Sequence, residues 1–281
     1  MAILHDEQAL TRRAVPGPSL YVVRASPEGE PKATVGLLHG YAEHAARYLH
    51  VMDAWAEANI ASIAIDMRGH GRAAGRRGYC SSFEEFLEDA AELTRLVHER
   101  SRGGACFLFG HSFGGLVASA SAIESPGTWR GLILSAPYFG LAIDVPRAKL
   151  ALGRVAALVA PKIALPSGLR GSDVTRDRAR ATAYDADPLV FNKVTTRWFR
   201  EMELAQQRFL GRAGELRLPL YEAFGTEDRV AKLSAGRAFF DRAASLDKTW
   251  RECPGGYHEV LNDPDWRELA DEMAEWILAR A

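Results

Sequence analysis

Short apolar runs alternate with helical patterns along this sequence, and that alternation predicts an α/β protein with a mostly parallel sheet covered by helices. The runs are near-continuously apolar, as strands buried on both faces must be. With 281 residues and 47% apolar content, the chain can bury a full core. In chain order the strands are expected at Leu20–Ala25, Thr34–Leu38, Ile60–Ile65, Ala105–Phe109, Gly131–Ser135, Leu218–Phe224 and Thr249–Cys253. Between the third and fourth, Phe83, Phe86, Leu87, Ala90, Leu93 and Val97 form a helical stripe, opened by a capping box of Ser82 and Glu85. A last helix is expected from Asp263-Pro264, burying Trp266, Leu269, Ala270, Met273, Trp276 and Ile277.

From Tyr138 to Gly211 the alternation stops, with helical patterns and no convincing strand. That stretch is far longer than the ~2–6 residues of an ordinary strand–helix connection, so it reads as a helical insertion over one edge of the sheet. The expected organisation is core (1–137), helical cap (138–211) and core again (212–281). The segment Lys149–Ala164 is aliphatic and has two readings. Either it buries itself against the rest of the protein, or one face lines an apolar tunnel or docks on lipid aggregates.

Composition excludes several classes. Lys plus Arg total 35 against 36 for Asp plus Glu, which leaves no electrostatic footprint for nucleic acid or an anionic membrane. Cys80, Cys106 and Cys253 have neither disulfide-framework nor metal-ligand spacing, and no metal or cofactor is expected. The opening residues MAILHDEQALTRRAV carry charges where a signal peptide needs an apolar stretch, and no run approaches the ~20 apolar residues of a membrane span. The expectation is a soluble, cytoplasmic protein.

Gly110-His111-Ser112-Phe113-Gly114 fits G-x-S-x-G, a weak signal alone. Its context strengthens it, because the strand Ala105–Phe109 runs into it and the helical pattern Leu116, Val117, Ala120, Ile123 follows. A strand–turn–helix of this kind is a nucleophile elbow, whose glycines leave room for a strained serine. A serine hydroxyl needs a base. Of eight histidines, His39 and His111 lie beside tight Gly turns, His98 in a helix and His5 near the start of the chain. His44, His50 and His70 fall in early loops, and His258 alone follows the last strand, in Gly255-Gly256-Tyr257-His258-Glu259. With chain order Ser, acid, His, the acid falls in Gly225-Thr226-Glu227-Asp228-Arg229-Val230. Asp228 is preferred over Glu227 there. The oxyanion donors are expected to be the backbone N–H groups of Phe113, after the nucleophile, and Tyr41, in Leu38-His39-Gly40-Tyr41.

The set HGYAEHAARY, DMRGHGRAAGRRGY, FGHSFGGL, YDADPLVFNK, FGTEDRV and GGYHEVLND, in this order from about Val35 to the final helix, resembles the monoacylglycerol lipase and lysophospholipase group of α/β-hydrolases, the serine aminopeptidase-like hydrolases. The resemblance implies a triad of Ser112, Asp228 and His258, oxyanion N–H groups on Tyr41 and Phe113, and a helical cap. It also implies hydrolysis of monoacylglycerol or similar single-chain lipid esters through an acyl-enzyme on Ser112. Lysophospholipase, thioesterase, acyltransferase and prolyl aminopeptidase-like activities share that machinery. A catalytically silent binding protein on the same fold is the non-enzyme alternative. Gly69-His70-Gly71-Arg72-Ala73-Ala74 fits a dinucleotide-binding G-x-G-x-x-A, but Gly75 and Gly78 interrupt the helix it would have to open.

Overall fold

The computed structural model describes residues 2–14, 16–142 and 147–281, so residues 143–146 of the expected 138–211 insertion lie outside the described residues. The chain begins with β1 (Ile3–Leu10), β2 (Leu20–Pro27), β3 (Ala33–Leu38), α1 (Leu49–Glu57), β4 (Ile60–Asp66) and α2 (Glu84–Ser101). It continues through β5 (Ala105–His111), α3 (Phe113–Glu124) and β6 (Gly131–Ser135). The insertion then contributes α4 (Arg147–Val159), β7 (Ala164–Pro166), α5 (Gly171–Val174), α6 (Arg178–Ala186), β8 (Lys193–Thr195) and α7 (Thr196–Gly211). β9 (Leu220–Gly225), α8 (Leu233–Arg242), β10 (Lys248–Cys253) and α9 (Trp266–Leu278) complete the fold.

The eight-stranded sheet has the order β1-β2-β4-β3-β5-β6-β9-β10. β2 pairs antiparallel with both neighbours, and every pairing from β4 to β10 is parallel. Side chains alternate between two cores, as the period of a strand requires. Phe107 and Phe109 face Trp55 of α1 and Met273 of α9, whereas Leu108 and Leu132 face Leu93 of α2 and Leu116 of α3. None of the described helices is long and apolar enough to cross a membrane.

Four sequence expectations need correction. The N-terminal segment is a strand: β1 pairs with β2 from Ile3↔Pro27 to Leu10↔Leu20. It carries no apolar alternation because, at the sheet edge, most of its side chains face solvent; backbone pairing holds it, helped by Ile3 and Leu10 packing at its ends and by the His5–Asp53 contact at 2.6 Å. The insertion contains β7 and β8, a three-residue antiparallel ribbon too short to leave a pattern. The Ser82–Glu85 capping box does not form; Glu85 accepts instead from the Ser81 N–H at 3.0 Å, and α2 starts at Glu84. α9 starts at Trp266, because the Asp263 carboxylate accepts from the Tyr257 N–H at 3.0 Å and from the Arg176 side chain at 2.9 Å. Trp266 is only half-buried, whereas Leu269, Ala270, Met273, Trp276 and Ile277 are buried.

The aliphatic segment around α4 does not bury itself. Leu152, Leu158 and Val159 are 70%, 78% and 79% exposed, and Val155, Ile163 and Leu165 are exposed too. The G-x-G-x-x-A stretch is a turn packed against Phe113 and Tyr41 through His70; Gly69 donates to the Ala74 carbonyl at 2.9 Å, and no helix opens between it and Glu84.

Candidate active site

The carboxyl ends of β3, β5, β9 and β10 meet along one edge of the sheet, where open α/β sheets bind ligands. Each end delivers one part of the site. At the end of β5 the chain enters α3 through Ser112, held at φ 50°, ψ −118°, a conformation that L-residues avoid. The turn closes only because its flanking residues lack side chains. A Cβ on Gly114 would stand 2.2 Å from the Leu38 carbonyl oxygen, and one on Gly110 would stand 2.4 Å from that of Gly114. Hydrogen bonds over-determine the strained residue: the Ser112 N–H donates to the Ser135 carbonyl and its carbonyl accepts from Tyr138, both at 2.9 Å.

The loop after β10 carries His258 over this serine. Nε2 lies 2.8 Å from Ser112 Oγ, and Nδ1 lies 2.8 Å from Asp228 Oδ2 in the turn after β9. Asp228 Oδ1 accepts from the N–H groups of Val230 at 2.7 Å and Ala231 at 2.9 Å, so its own turn aims the other oxygen at the imidazole. Glu227 points into solvent. Burial alone would push the His258 imidazole down, but the facing Asp228 carboxylate, helped by Glu259 and Glu43, outweighs it and holds the pKa above the ordinary value.

Among the described residues, His258 is the histidine that meets Ser112. His111 contacts Ser135 Oγ at 3.2 Å and, desolvated beside His258, is pushed down to about 3, so it stays neutral. His39 contacts the Gly40 carbonyl at 2.7 Å, and His44 contacts Asp187 Oδ2 of the insertion at 2.8 Å. Tyr41 and Phe113 both border the serine. Gly40 comes so close that a Cβ on it would lie 3.4 Å from Ser112 Cβ. The backbone N–H groups of Tyr41 and Phe113 donate to no backbone or side-chain acceptor among the described residues.

A cavity of about 210 Å³ opens at Ser112. Apolar Leu141, Leu169, Val194, Trp198, Phe199 and Val230 line it, together with a polar group of Glu43, Tyr184 and Glu259. Sequence reasoning passed over this polar group. The Arg47 guanidinium binds both Glu259 oxygens at 2.6 Å and also hydrogen-bonds Glu43, and it sits 4.7 Å from the centre of the Tyr184 ring. Glu43, His111 and Glu259 bring potential ligand atoms within 4.8 Å of one another, but Arg47 already pairs with both carboxylates. The i, i+4 spacing of Glu43 and Arg47 was a visible signal; the partner 212 residues away was not.

The α/β-hydrolase fold is built around a strained serine between a parallel strand and a helix, and this chain has that fold. It belongs to the serine aminopeptidase S33 family, which its residues 29–265 match. It is 33% identical over 255 residues to a monoacylglycerol lipase of Mycolicibacterium smegmatis, covering 90% of this chain and 91% of that one. Phospholipase YtpA of Bacillus subtilis is 29% identical over 85% of this chain and 92% of its own. The crystal structure of a monoacylglycerol lipase from Paleococcus ferrophilus superposes with a TM-score of 0.84 at 28% identity, over 93% of this chain and 99% of that one. Fold, family and relatives make the protein a carboxylic-ester hydrolase.

Proposed function

We propose that the protein hydrolyses single-chain lipid esters, monoacylglycerols foremost, through an acyl-enzyme on Ser112. One observation carries this reading: an unbroken Asp228–His258–Ser112 hydrogen-bond chain opens into a cavity lined mostly by apolar side chains, with Glu43, Tyr184 and Glu259 among them. In the forward step His258 Nε2 takes the Ser112 proton as Oγ attacks the ester carbonyl, and the Tyr41 and Phe113 N–H groups receive the oxyanion. The imidazolium then gives that proton to the leaving alcohol. Water repeats the sequence on the acyl-enzyme and frees the fatty acid. The apolar lining suits one acyl chain, and the Glu43, Tyr184 and Glu259 group suits the hydroxyls of a small polyol.

The family's name raises a second reading, aminopeptidase action, and Glu43 and Glu259 are the carboxylates an ammonium group would seek. Arg47 already occupies both, which favours neutral hydroxyls there. The deciding experiment compares kcat/KM across monoacylglycerols of increasing chain length, acetate esters, lysophospholipid, triacylglycerol and a prolyl amide. Each buried methylene adds up to ~0.8 kcal/mol, so rates should climb with acyl length until the cavity fills. Triacylglycerol should react poorly. A flat acyl series, or a prolyl amide cleaved fastest, would defeat the lipid-ester reading.

The proposed roles also fix a pH dependence. His258 must be neutral to accept the serine proton, and its pKa stands above the ordinary value. The acidic limb of kcat/KM should therefore have its midpoint above ~6.5, with activity lost as pH falls through it. A profile flat from pH 5 to 8 would remove the histidine base.

In this reading residues 138–211 act as a cap, and α4 is its lipid-facing element. None of the described residues of α4 lines the cavity, while Leu158 and Val159 stand almost fully in solvent. Replacing both with Ser should lower activity on monoacylglycerol in vesicles about tenfold or more, given ~1.5–3 kcal/mol for fully burying one such side chain. Hydrolysis of a water-soluble short ester should be unchanged. Equal effects on both substrates would show that α4 acts through the fold instead.

A further inference from the structure

After β3 the chain turns at His39, Gly40 and Tyr41, passes Ala42 at φ 67° and folds the Glu43 carboxylate back into the protein, 2% exposed. Glu43 Oε1 accepts the Gly40 N–H at 2.5 Å and the Tyr48 hydroxyl at 2.8 Å; Oε2 accepts from Arg47. On the other side of the turn, His39 Nδ1 donates to the Gly40 carbonyl at 2.7 Å while its Nε2 accepts the Met67 N–H at 3.1 Å. Both polar groups of Gly40 are therefore held. The Gly40 carbonyl and the Tyr41 N–H belong to one planar trans peptide and point in opposite directions; His39 holds that plane through the carbonyl, and Glu43 holds the preceding peptide through the Gly40 N–H, so the two bonds together fix the turn at Gly40 and where the Tyr41 N–H aims. Gly40 has no side chain to brace it. A Cβ there would lie 2.6 Å from Glu43 Oε1, in the space the carboxylate uses.

We infer that Glu43 is a positioning residue, whose hydrogen bond to the Gly40 N–H holds the Tyr41 N–H in the orientation that receives the oxyanion. This rests on the reading of Ser112 and Tyr41 proposed above. Glu43 touches no reacting atom. It acts by reach, since its carboxylate oxygen must arrive at the Gly40 N–H, and its charge serves the separate pairing with Arg47 and Glu259.

Two conservative variants separate reach from charge. Glu43→Gln keeps an acceptor oxygen at the same distance and removes the charge. Glu43→Asp keeps the charge and retracts the carboxylate by about 1.5 Å, one C–C bond. On a soluble short-chain ester, Glu43→Gln should keep kcat within about tenfold of wild type. Glu43→Asp should lose about 10²-fold, the scale of one misplaced oxyanion donor, with KM within about threefold. Affinity for a trifluoromethyl ketone, which forms a tetrahedral adduct on serine, should fall in parallel with kcat/KM. If Glu43→Asp stayed within tenfold of wild type, or Glu43→Gln fell as far, the inference would be overturned. A measurement on the wild-type protein needs no variant: the Gly40 amide proton, donating to a buried carboxylate, should resonate far downfield, and an ordinary shift would equally overturn it. Ser112→Ala in the same assay keeps the questions apart. Retained activity there would remove the proposed nucleophile and Glu43's role together; an inactive Ser112→Ala beside an active Glu43→Asp would remove only Glu43's.

Discussion

Ser112→Ala is expected to lower kcat toward esters by about 10⁴–10⁶-fold and to leave the melting temperature within a few degrees. The two halves of that expectation have separate causes. The hydroxyl is the atom the proposed mechanism needs, and its hydrogen bond is to His258 Nε2. What holds the residue at φ 50° is backbone: the bond to the Ser135 carbonyl, the bond from Tyr138, and the bare glycines on either side. Alanine leaves all of these in place and fits the space. Substrate should still bind, because the cavity walls are unchanged, so a fluorescent monoacylglycerol analogue should retain its dissociation constant within a few fold. Steady-state assay, a melting curve and covalent labelling by a fluorophosphonate would test this together. More than a few per cent residual activity, or labelling of the alanine variant, would place the nucleophile elsewhere.

Asp228→Asn should cost about 10⁴-fold in kcat near neutral pH, while Glu227→Gln stays close to wild type. The hydrogen-bond pattern supplies the reason. Asp228 Oδ1 accepts two backbone N–H groups, from Val230 and Ala231, and these donors will keep an oxygen at that position. An asparagine must then turn its NH₂ toward His258 Nδ1. Facing a donor, Nδ1 gives up its proton, the proton moves to Nε2, and the imidazole can no longer accept from Ser112. The loss of the carboxylate also removes what holds the His258 pKa up, so the residual acidic limb should move to lower pH. Glu227 stands in solvent and touches neither group. Comparable losses in the two variants, or the reverse order, would move the acid away from Asp228.

Much of this molecule was legible because short-range rules wrote it. The seven expected strands all exist, with ends displaced by at most two residues; β3 to β6 and β9 are buried on both faces and so are apolar nearly throughout, whereas β10 is a half-buried edge strand. The elbow was legible from Gly110 and Gly114, whose need for bare backbone around Ser112 is local. β1 was hidden because an edge strand can be held by backbone pairing while its side chains stay polar. The exposure of α4 was hidden for a different reason. An aliphatic helix reads the same whether its apolar face meets a neighbour or solvent, and Leu158 and Val159 revealed which only once the fold was assembled.

By itself, then, the sequence determined the α/β alternation, the strand–turn–helix around Ser112, and the placing of Asp228 and His258 each in a loop after a strand. Those features depend on residues within a few positions of one another. Whether Ser112, Asp228 and His258 meet depends on strands β5, β9 and β10 lying in one sheet with their carboxyl ends together, and only tertiary structure decides that. The same holds for which of Asp228 and Glu227 faces His258, set by which side chain the turn buries, and for the Glu43–Arg47–Glu259 group. Arg47 and Glu259 lie 212 residues apart, and the Arg47 guanidinium offsets the cost of burying the two carboxylates, an arrangement no local pattern records.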